Sequence, residues 1–335
     1  MPPRIVLFAC GLLLACSTVR ADDAFNSTHV LVVDDSTDEV LLSKDVGTAA
    51  PIASLTKLMT AMVVLDAQQD PNELLRFDPA DTDPIRHGHG GVPIGALAPR
   101  GSLLDLALLA SDNRAASALA RHHPGGLEGF AAAMQRKIHA LGLYGTQIEE
   151  PTGLSPNNVS TAQDLVRVLR AAARYPAITQ ITSQRSRTVL VNGRRWSVRN
   201  TNRLVGAPGW HVLLSKTGFT NEAGRVLGMR AEVAGRTVTI VLMGAAAPSL
   251  RTRDAIAIRR WLAGDAPAAT PARRARLRAV YQTLPRPWPA LGSTAQTAAP
   301  IVVPSGQTMP AGQTMPADQA AGGVDADADA DAEGR

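Results

Sequence analysis

The order of strand-type and helix-type segments is the feature that most constrains how this chain can fold. Two apolar runs on either side of a polar turn, at residues 29–33 and 39–42, predict a hairpin near the start. A block of segments with helical periodicity follows, and apolar strand-type runs return before a last helix. This order predicts a mixed α/β fold, in which helices flank an antiparallel sheet and an all-helical subdomain is inserted.

Individual elements follow from periodicity and turn residues. Asn192-Gly193 between two strand-type runs is a strong signal for a tight hairpin, and Ala234-Gly235 predicts a second tight turn. The predicted helices span residues 55–67, 103–109, 114–122, 127–141, 162–174 and 251–262. The predicted strands beyond the first hairpin span residues 187–191, 195–199, 212–215, 225–232 and 237–243.

The two ends of the chain differ in composition from the part between them. Residues 1–21 combine a positive charge, a short apolar run and a small-residue cleavage site, which predicts a signal peptide and export to the periplasm or cell envelope. Alternatively, residues 13–16 resemble a lipobox in which Cys16 is lipidated, giving a peripheral, lipid-anchored association with the membrane. Residues 265–335 are rich in Ala and Pro and repeat a hexapeptide, so a disordered tail is expected. The globular domain is predicted at residues 22–264.

Composition excludes several classes of protein. With 45% hydrophobic residues and a mean hydropathy near zero, the chain is neither wholly disordered nor a polytopic membrane protein. Both cysteines, Cys10 and Cys16, lie in the predicted signal segment, which excludes a disulfide scaffold. Histidines at 87–89 and 122–123 lack a third ligand at a recognisable spacing, so no metal is expected.

The first motif with chemical potential is Ser54-Leu55-Thr56-Lys57, at the start of an apolar helical run. Residues three apart share a helix face, so the Ser54 hydroxyl and the Lys57 amine can meet. Serine needs a neighbouring base to act as a nucleophile, and lysine serves as one when burial or neighbouring cations lower its pKa. The alternative is an ordinary helix start, with Ser54 as a cap and Lys57 on the surface.

Two more short motifs offer groups for proton transfer and substrate binding. Ser111-Asp112-Asn113 lies in a polar break between two helical runs, where a hydroxyl can relay a proton and an amide can hold a peptide bond. Lys216-Thr217-Gly218 ends an apolar strand, where its side chains can bind a carboxylate and glycine lets a substrate backbone approach. Each motif alone also fits a capped helix start or an ordinary turn. Together the three match the signature of class A β-lactamases and penicillin-binding proteins.

The motifs stand within longer stretches that resemble one family, the low-molecular-mass penicillin-binding proteins, which are serine D-alanyl-D-alanine peptidases of the S11 type. The resemblance covers about residues 25–264, and its main blocks are residues 53–61, 111–116, 150–154 and 214–224. Residues 123–126 and 199–202 are more similar to the endopeptidase subgroup, the penicillin-binding protein 7 type.

This resemblance implies a β-lactamase/DD-peptidase-like fold and an acyl-enzyme formed with peptidoglycan stem peptides. β-Lactam antibiotics would be covalent inhibitors, and no cofactor, metal or nucleic-acid partner is implied. The implied catalytic residues are Ser54 as nucleophile, Lys57 as base and Ser111 as proton relay. The implied substrate-binding residues are Asn113, Lys216, Thr217, Gly218 and Phe219, the last through its backbone N–H.

The leading hypothesis is an endopeptidase that cleaves D-Ala-diaminopimelate cross-links. The alternative is a D-alanyl-D-alanine carboxypeptidase, because both substrates carry a carboxylate on the D-centre beside the scissile amide. A class A β-lactamase would need a glutamate that activates water, but Glu149 and Glu150 precede Pro-Thr-Gly, which resembles the peptidase block. A non-catalytic wall-binding protein is the fourth hypothesis, and the intact motifs argue against it.

Overall fold

A computed structural model describes residues 25–81 and 92–264 of the chain. The predicted signal peptide, the lipidation alternative at Cys16, the histidines at 87–89 and the predicted tail lie outside these residues. Within the described ranges, no helix is long and apolar enough to cross a bilayer.

The described residues form strands and helices in the predicted order. The strands are β1 (His29–Asp34), β2 (Val40–Lys44), β3 (Ala50–Pro51), β4 (Leu74–Arg76), β5 (Leu97–Pro99), β6 (Val159–Ser160), β7 (Ser186–Val191), β8 (Arg194–Arg199), β9 (His211–Thr220), β10 (Gly224–Val233) and β11 (Arg236–Ala245). The helices are α1 (Thr56–Asp66), α2 (Arg100–Leu109), α3 (Asn113–Arg121), α4 (Gly126–Ala140), α5 (Ala162–Ala172), α6 (Pro176–Thr182) and α7 (Pro248–Ala263).

A five-stranded antiparallel sheet lies at the centre, in the order β2-β1-β11-β10-β9. Along β1, Val30 and Val32 pack toward one face of the sheet and Leu31 and Val33 toward the other, and all four are buried. Because both faces are covered, this strand is a continuous apolar run without polar alternation. The fold class predicted from the sequence is confirmed.

Two apolar cores lie on opposite faces of the sheet. The larger core joins one face to the helices between β3 and β7, and α1 is its most buried member because its sequence is apolar nearly all round. The smaller core joins the other face to α7, through Ala255 and Ile258. Helix α7 begins with a proline and ends at Gly264, whose φ of 83° allows a left-handed cap.

The structure confirms the hairpin predicted at Asn192-Gly193, and it shows one strand to be longer than predicted. Asn192 and Gly193 have φ values of 49° and 71° and join β7 to β8. Strand β9 continues past the predicted end at Ser215, so that Lys216-Thr217-Gly218 lies inside the edge strand and not at its end. The sequence did not predict this part of the strand, because strands are recognised from apolar side chains and this motif is polar. Helix α6 and the two-stranded pairs β3–β6 and β4–β5 were also missed, being too short for a periodic pattern.

Candidate active site

Ser54 lies in a single 3-10 turn, Ala53–Leu55, that leads directly into α1. Three residues per turn keep Ser54 and Lys57 on one face, as predicted, although Ser54 lies ahead of the α-helix proper. The Lys57 amine donates to Ser54 Oγ at 2.9 Å and to the Thr152 carbonyl at 2.7 Å, and Lys57 is fully buried. Ala53 has a φ of 45°, a left-handed conformation that is strained for a residue with a side chain.

Ser111 and Asn113 lie on either side of Asp112, at the break between α2 and α3. The Asp112 carboxylate caps α3 by accepting from the Ala115 N–H at 2.8 Å, so the helix-cap interpretation also holds for this motif. Ser111 has a φ of 60°, which turns the chain sharply before the helix. Asn113 is the first residue of α3, and its side-chain oxygen accepts a hydrogen bond from Lys57.

Lys216 approaches the same site from β9. Its amine donates to Ser111 Oγ at 2.7 Å and to the Thr217 carbonyl at 2.9 Å, and only 1% of the residue is exposed. Two buried lysines therefore contact the two motif serines, Lys57 beside Ser54 and Lys216 beside Ser111.

Glycine at 218 lets β9 pass close to the 3-10 turn that carries Ser54. A Cβ placed on Gly218 would lie 2.7 Å from Ser54 N and 3.0 Å from the Ala53 Cβ, closer than such atoms approach in proteins. The backbone of β9 next to Phe219 is thereby held against the backbone of Ser54. Phe219 is 37% exposed, and the guanidinium of Arg225 lies 3.5 Å from the centroid of its ring.

Sequence reasoning recognised the 150–154 stretch but assigned it no role. The Glu150 carboxylate accepts from the N–H groups of Thr152 and Gly153, at 2.6 Å each, and from the Asn158 amide at 3.0 Å. These bonds fix the loop whose Thr152 carbonyl holds Lys57. Gly153 has a φ of 88°, and a Cβ there would lie 2.0 Å from the Ala53 carbonyl oxygen. The loop therefore supports both Lys57 and the 3-10 turn that carries Ser54.

Across residues 25–81 and 92–264, no three His, Cys, Asp or Glu side chains are grouped so that they could hold a metal ion. Two lysine amines hydrogen-bond the Ser54 and Ser111 hydroxyls, and the amine of Lys57 also bonds the Asn113 amide. Such a set can activate a serine and bind an anionic group.

Comparison with known proteins identifies the family. The sequence profile described as peptidase S11, D-alanyl-D-alanine carboxypeptidase, matches residues 16–247. The chain belongs to peptidase family S11. Two similar proteins are named D-alanyl-D-alanine endopeptidase. One, from Pseudomonas aeruginosa, is 42% identical over 248 residues, covering 73% of this chain and 80% of the relative. The other, from Escherichia coli, is 38% identical over 273 residues, covering 77% and 88%.

Solved structures agree with this assignment. A D-alanyl-D-alanine carboxypeptidase from Mycobacterium tuberculosis is 31% identical, with a TM-score of 0.61 over 69% of this chain and 89% of that one. The Streptomyces K15 DD-transpeptidase is 23% identical, with a TM-score of 0.63 over 70% and 95%, and shares the fold. Membership of the S11 family identifies the chain as a serine peptidase that acts on D-alanyl-D-alanine peptides.

Proposed function

We propose that this protein is a DD-endopeptidase that cleaves peptide cross-links in peptidoglycan through an acyl-enzyme on Ser54. The convergence of Lys57 on Ser54 and of Lys216 on Ser111, both lysines being buried, is the observation that carries this proposal. At Lys57, burial disfavours the charged form and lets the amine accept a proton. At Lys216, the carboxylate of a bound substrate favours the charged form.

In the acylation step, Lys57 acts as a neutral amine whose two N–H groups donate to Asn113 and Thr152. Its lone pair accepts the Ser54 hydroxyl proton as Ser54 Oγ bonds to the D-alanine carbonyl carbon. The oxyanion is stabilised by the backbone N–H groups of Ser54 and Phe219, which the close approach at Gly218 supports. The C–N bond then breaks, and Ser111 helps to deliver a proton to the leaving amine. Asn113 holds the substrate amide and positions Lys57. Water hydrolyses the ester and frees Ser54.

Lys216 and Thr217 bind the carboxylate of the substrate. Lysine supplies a compact positive charge and threonine a directional hydroxyl, and both project from an edge strand along which a substrate can lie. The carboxylate is the one on the D-centre beside the scissile bond. A penicillin carries its carboxylate at the analogous place, which supports covalent inhibition by β-lactams.

Endopeptidase activity is preferred to carboxypeptidase activity because the relatives from P. aeruginosa and E. coli are named endopeptidases, at 42% and 38% identity. A relative from M. tuberculosis that is 36% identical is named a carboxypeptidase, so that activity is the alternative. A β-lactamase mechanism is disfavoured, because the Glu150 carboxylate already accepts bonds from its own loop.

The products of purified protein acting on muropeptides test the proposal. Chromatography should show loss of cross-linked dimers and a gain of monomers, while Ser54→Ala protein leaves the dimers intact. Loss of terminal D-alanine alone would support the carboxypeptidase instead. Fluorescent penicillin should label the wild type and not Ser54→Ala, whereas the matched control Ser36→Ala, on an exposed turn, keeps the label.

We propose further that the protein is exported, because its substrate lies in the cell envelope. The signal-like residues 1–21 support this proposal. N-terminal sequencing of mature protein should begin at Asp22. A lipid-modified Cys16 at the new N-terminus would instead support the membrane-anchored alternative.

A further inference from the structure

The turn that follows β8 contacts both sides of the candidate cleft through one residue, Thr201. Its Oγ1 accepts a hydrogen bond from the Thr217 hydroxyl at 2.7 Å. Its backbone N–H donates to the carbonyl of Leu109, the last residue of α2, at 3.2 Å. Leu109 lies two residues before Ser111, so Thr201 connects the loop that carries Ser111 to the strand that carries Lys216 and Thr217.

Two asparagines hold this turn independently of the Thr201 side chain. The Asn200 amide donates to the carbonyls of Thr182 and Gln184, at 3.0 Å each. Its oxygen accepts from the Asn202 N–H at 2.9 Å, and the Asn202 oxygen accepts from the Leu204 N–H at 3.1 Å. Because these bonds fix the backbone, the position of the Thr201 hydroxyl is set before any ligand binds.

A threonine hydroxyl has one proton to donate and two lone pairs. In this structure the Thr217 proton points at Thr201. A carboxylate only accepts hydrogen bonds, so Thr217 must turn its proton to the ligand when one binds. The Thr201 hydroxyl then lies at hydrogen-bond distance from the oxygen of Thr217 and can donate its own proton there. A donor that itself accepts a hydrogen bond is polarised and donates more strongly.

We propose that Thr201 is a positioning residue that orients and polarises the Thr217 hydroxyl toward the carboxylate of the substrate. Thr201 thereby contributes to the preference for substrates with a free carboxylate on the D-centre. This inference rests on the proposed function, because it takes the carboxylate position from the assignment of Lys216 and Thr217. No covalent bond is made or broken at Thr201.

Two acylating compounds test the proposal on the same protein. Benzylpenicillin has a free carboxylate, and its methyl ester does not. Wild type should react faster with the acid, and the ratio of the two rates measures carboxylate preference. Thr201→Val should lower this ratio about fivefold, the factor that corresponds to a net hydrogen bond of about 1 kcal/mol. Thr201→Ser, which keeps the hydroxyl, should stay within about twofold of wild type.

The matched control is Thr188→Val, a hydroxyl exposed on β7 of the same hairpin, which should leave the ratio unchanged. Any loss of folded protein cancels in a ratio measured on one sample, and Thr201→Ala is a second variant without the hydroxyl. An unchanged ratio in folded Thr201→Val, or failure of both hydroxyl-free variants to fold, would overturn the proposal. Absence of acylation of wild type by either compound would instead contradict the proposed function itself.

Discussion

At the scale of single residues, the two buried lysines differ in their partners and therefore in what a substitution should do. Lys57 bonds a hydroxyl, an amide oxygen and a carbonyl, and its proposed task is to accept a proton. Lys216 bonds Ser111 and its neighbour's carbonyl, and its proposed task is to supply charge. Arginine keeps the charge at any working pH but cannot act as a base.

Replacement of each lysine by arginine should therefore separate the two tasks. We expect Lys57→Arg to lose nearly all acylation by penicillin, because no group remains to accept the Ser54 proton. Lys216→Ala should slow acylation at least about tenfold, the effect of losing a charge-assisted hydrogen bond, and Lys216→Arg should recover part of that loss. Stopped-flow measurement with a fluorescent penicillin gives both rates. Equal damage from arginine at both positions would argue that Lys216 also transfers protons.

At Gly218, one added side-chain atom would change the distance between β9 and the backbone of Ser54. Alanine there would place its Cβ 2.7 Å from Ser54 N, and that backbone atom cannot move without moving the nucleophile. We expect Gly218→Ala to lower the acylation rate by about 100-fold, the effect of a misplacement of roughly 1 Å. Gly47→Ala, whose added Cβ would have nothing within 4 Å, is the matched control. Similar acylation rates for the two variants would contradict this account.

The sequence revealed the candidate catalytic side chains but not the groups that hold them. Ser54, Lys57, Ser111 and Lys216 were found because short motifs fix residue types at short spacings. The Thr152 carbonyl was not, since every residue has a carbonyl and only the folded loop brings this one to Lys57. Thr201 was missed as a contact of Thr217 for a similar reason, because a bend between β8 and β9 brings the two together.

At the scale of elements, an ion pair ties the helix that leads to Ser111 to the hairpin that leads to Thr201. Asp105 on α2 lies 3.0 Å from the Arg187 guanidinium on β7, and the aspartate is almost completely buried. Burial raises the pKa of Asp105 from 3.8 to about 6, although the nearby Arg187 charge acts in the opposite direction. Between about pH 4 and pH 6, the folded protein therefore keeps a proton at Asp105 that the unfolded chain releases.

This shift makes stability depend on pH in a definite direction. Because the folded pKa is raised, the contribution of Asp105 is fully present below about pH 4 and is lost as pH rises to about 6. We expect the free energy of unfolding of wild type to fall relative to Asp105→Asn by up to about 3 kcal/mol over this window. Urea unfolding at pH 4, 5, 6 and 7 measures the difference. A constant difference between the two proteins would show that burial does not control this carboxyl.

Helices and strands could be predicted from the sequence where their hydrophobic patterns were long. The 55–67 helix and the 187–199 hairpin needed little beyond periodicity and an Asn-Gly turn, and both are confirmed. The extent of β9 was not predictable, because Lys216, Thr217 and Gly218 pair with Gly228, Leu227 and Val226 of β10. Backbone pairing with β10 holds these three residues in the strand. A local sequence pattern of apolar side chains does not reveal such pairing.

At the scale of the whole molecule, helix α7 contacts both the central sheet and the first described residues. Helix α7 packs on the second face of the sheet and ends at Gly264, whose left-handed cap satisfies carbonyls of the last turn. The Asp254 carboxylate of this helix accepts hydrogen bonds from the N–H groups of Asn26 and Ser27, at 3.0 and 2.7 Å. The first and last described segments are thereby joined, which supports our proposal that the domain ends near residue 264.

This junction predicts that residues 266–335 contribute nothing to the stability of the domain. A chain ending at Asp265 should melt within about two degrees of the full chain and bind fluorescent penicillin equally well. The Ala/Pro-rich composition of the removed part supports the same expectation, because it has little apolar surface to bury. Asp254→Asn weakens the junction between the first and last segments and should lower the melting temperature in both chain lengths alike. A drop of about ten degrees on truncation alone would show that the removed residues pack on the domain.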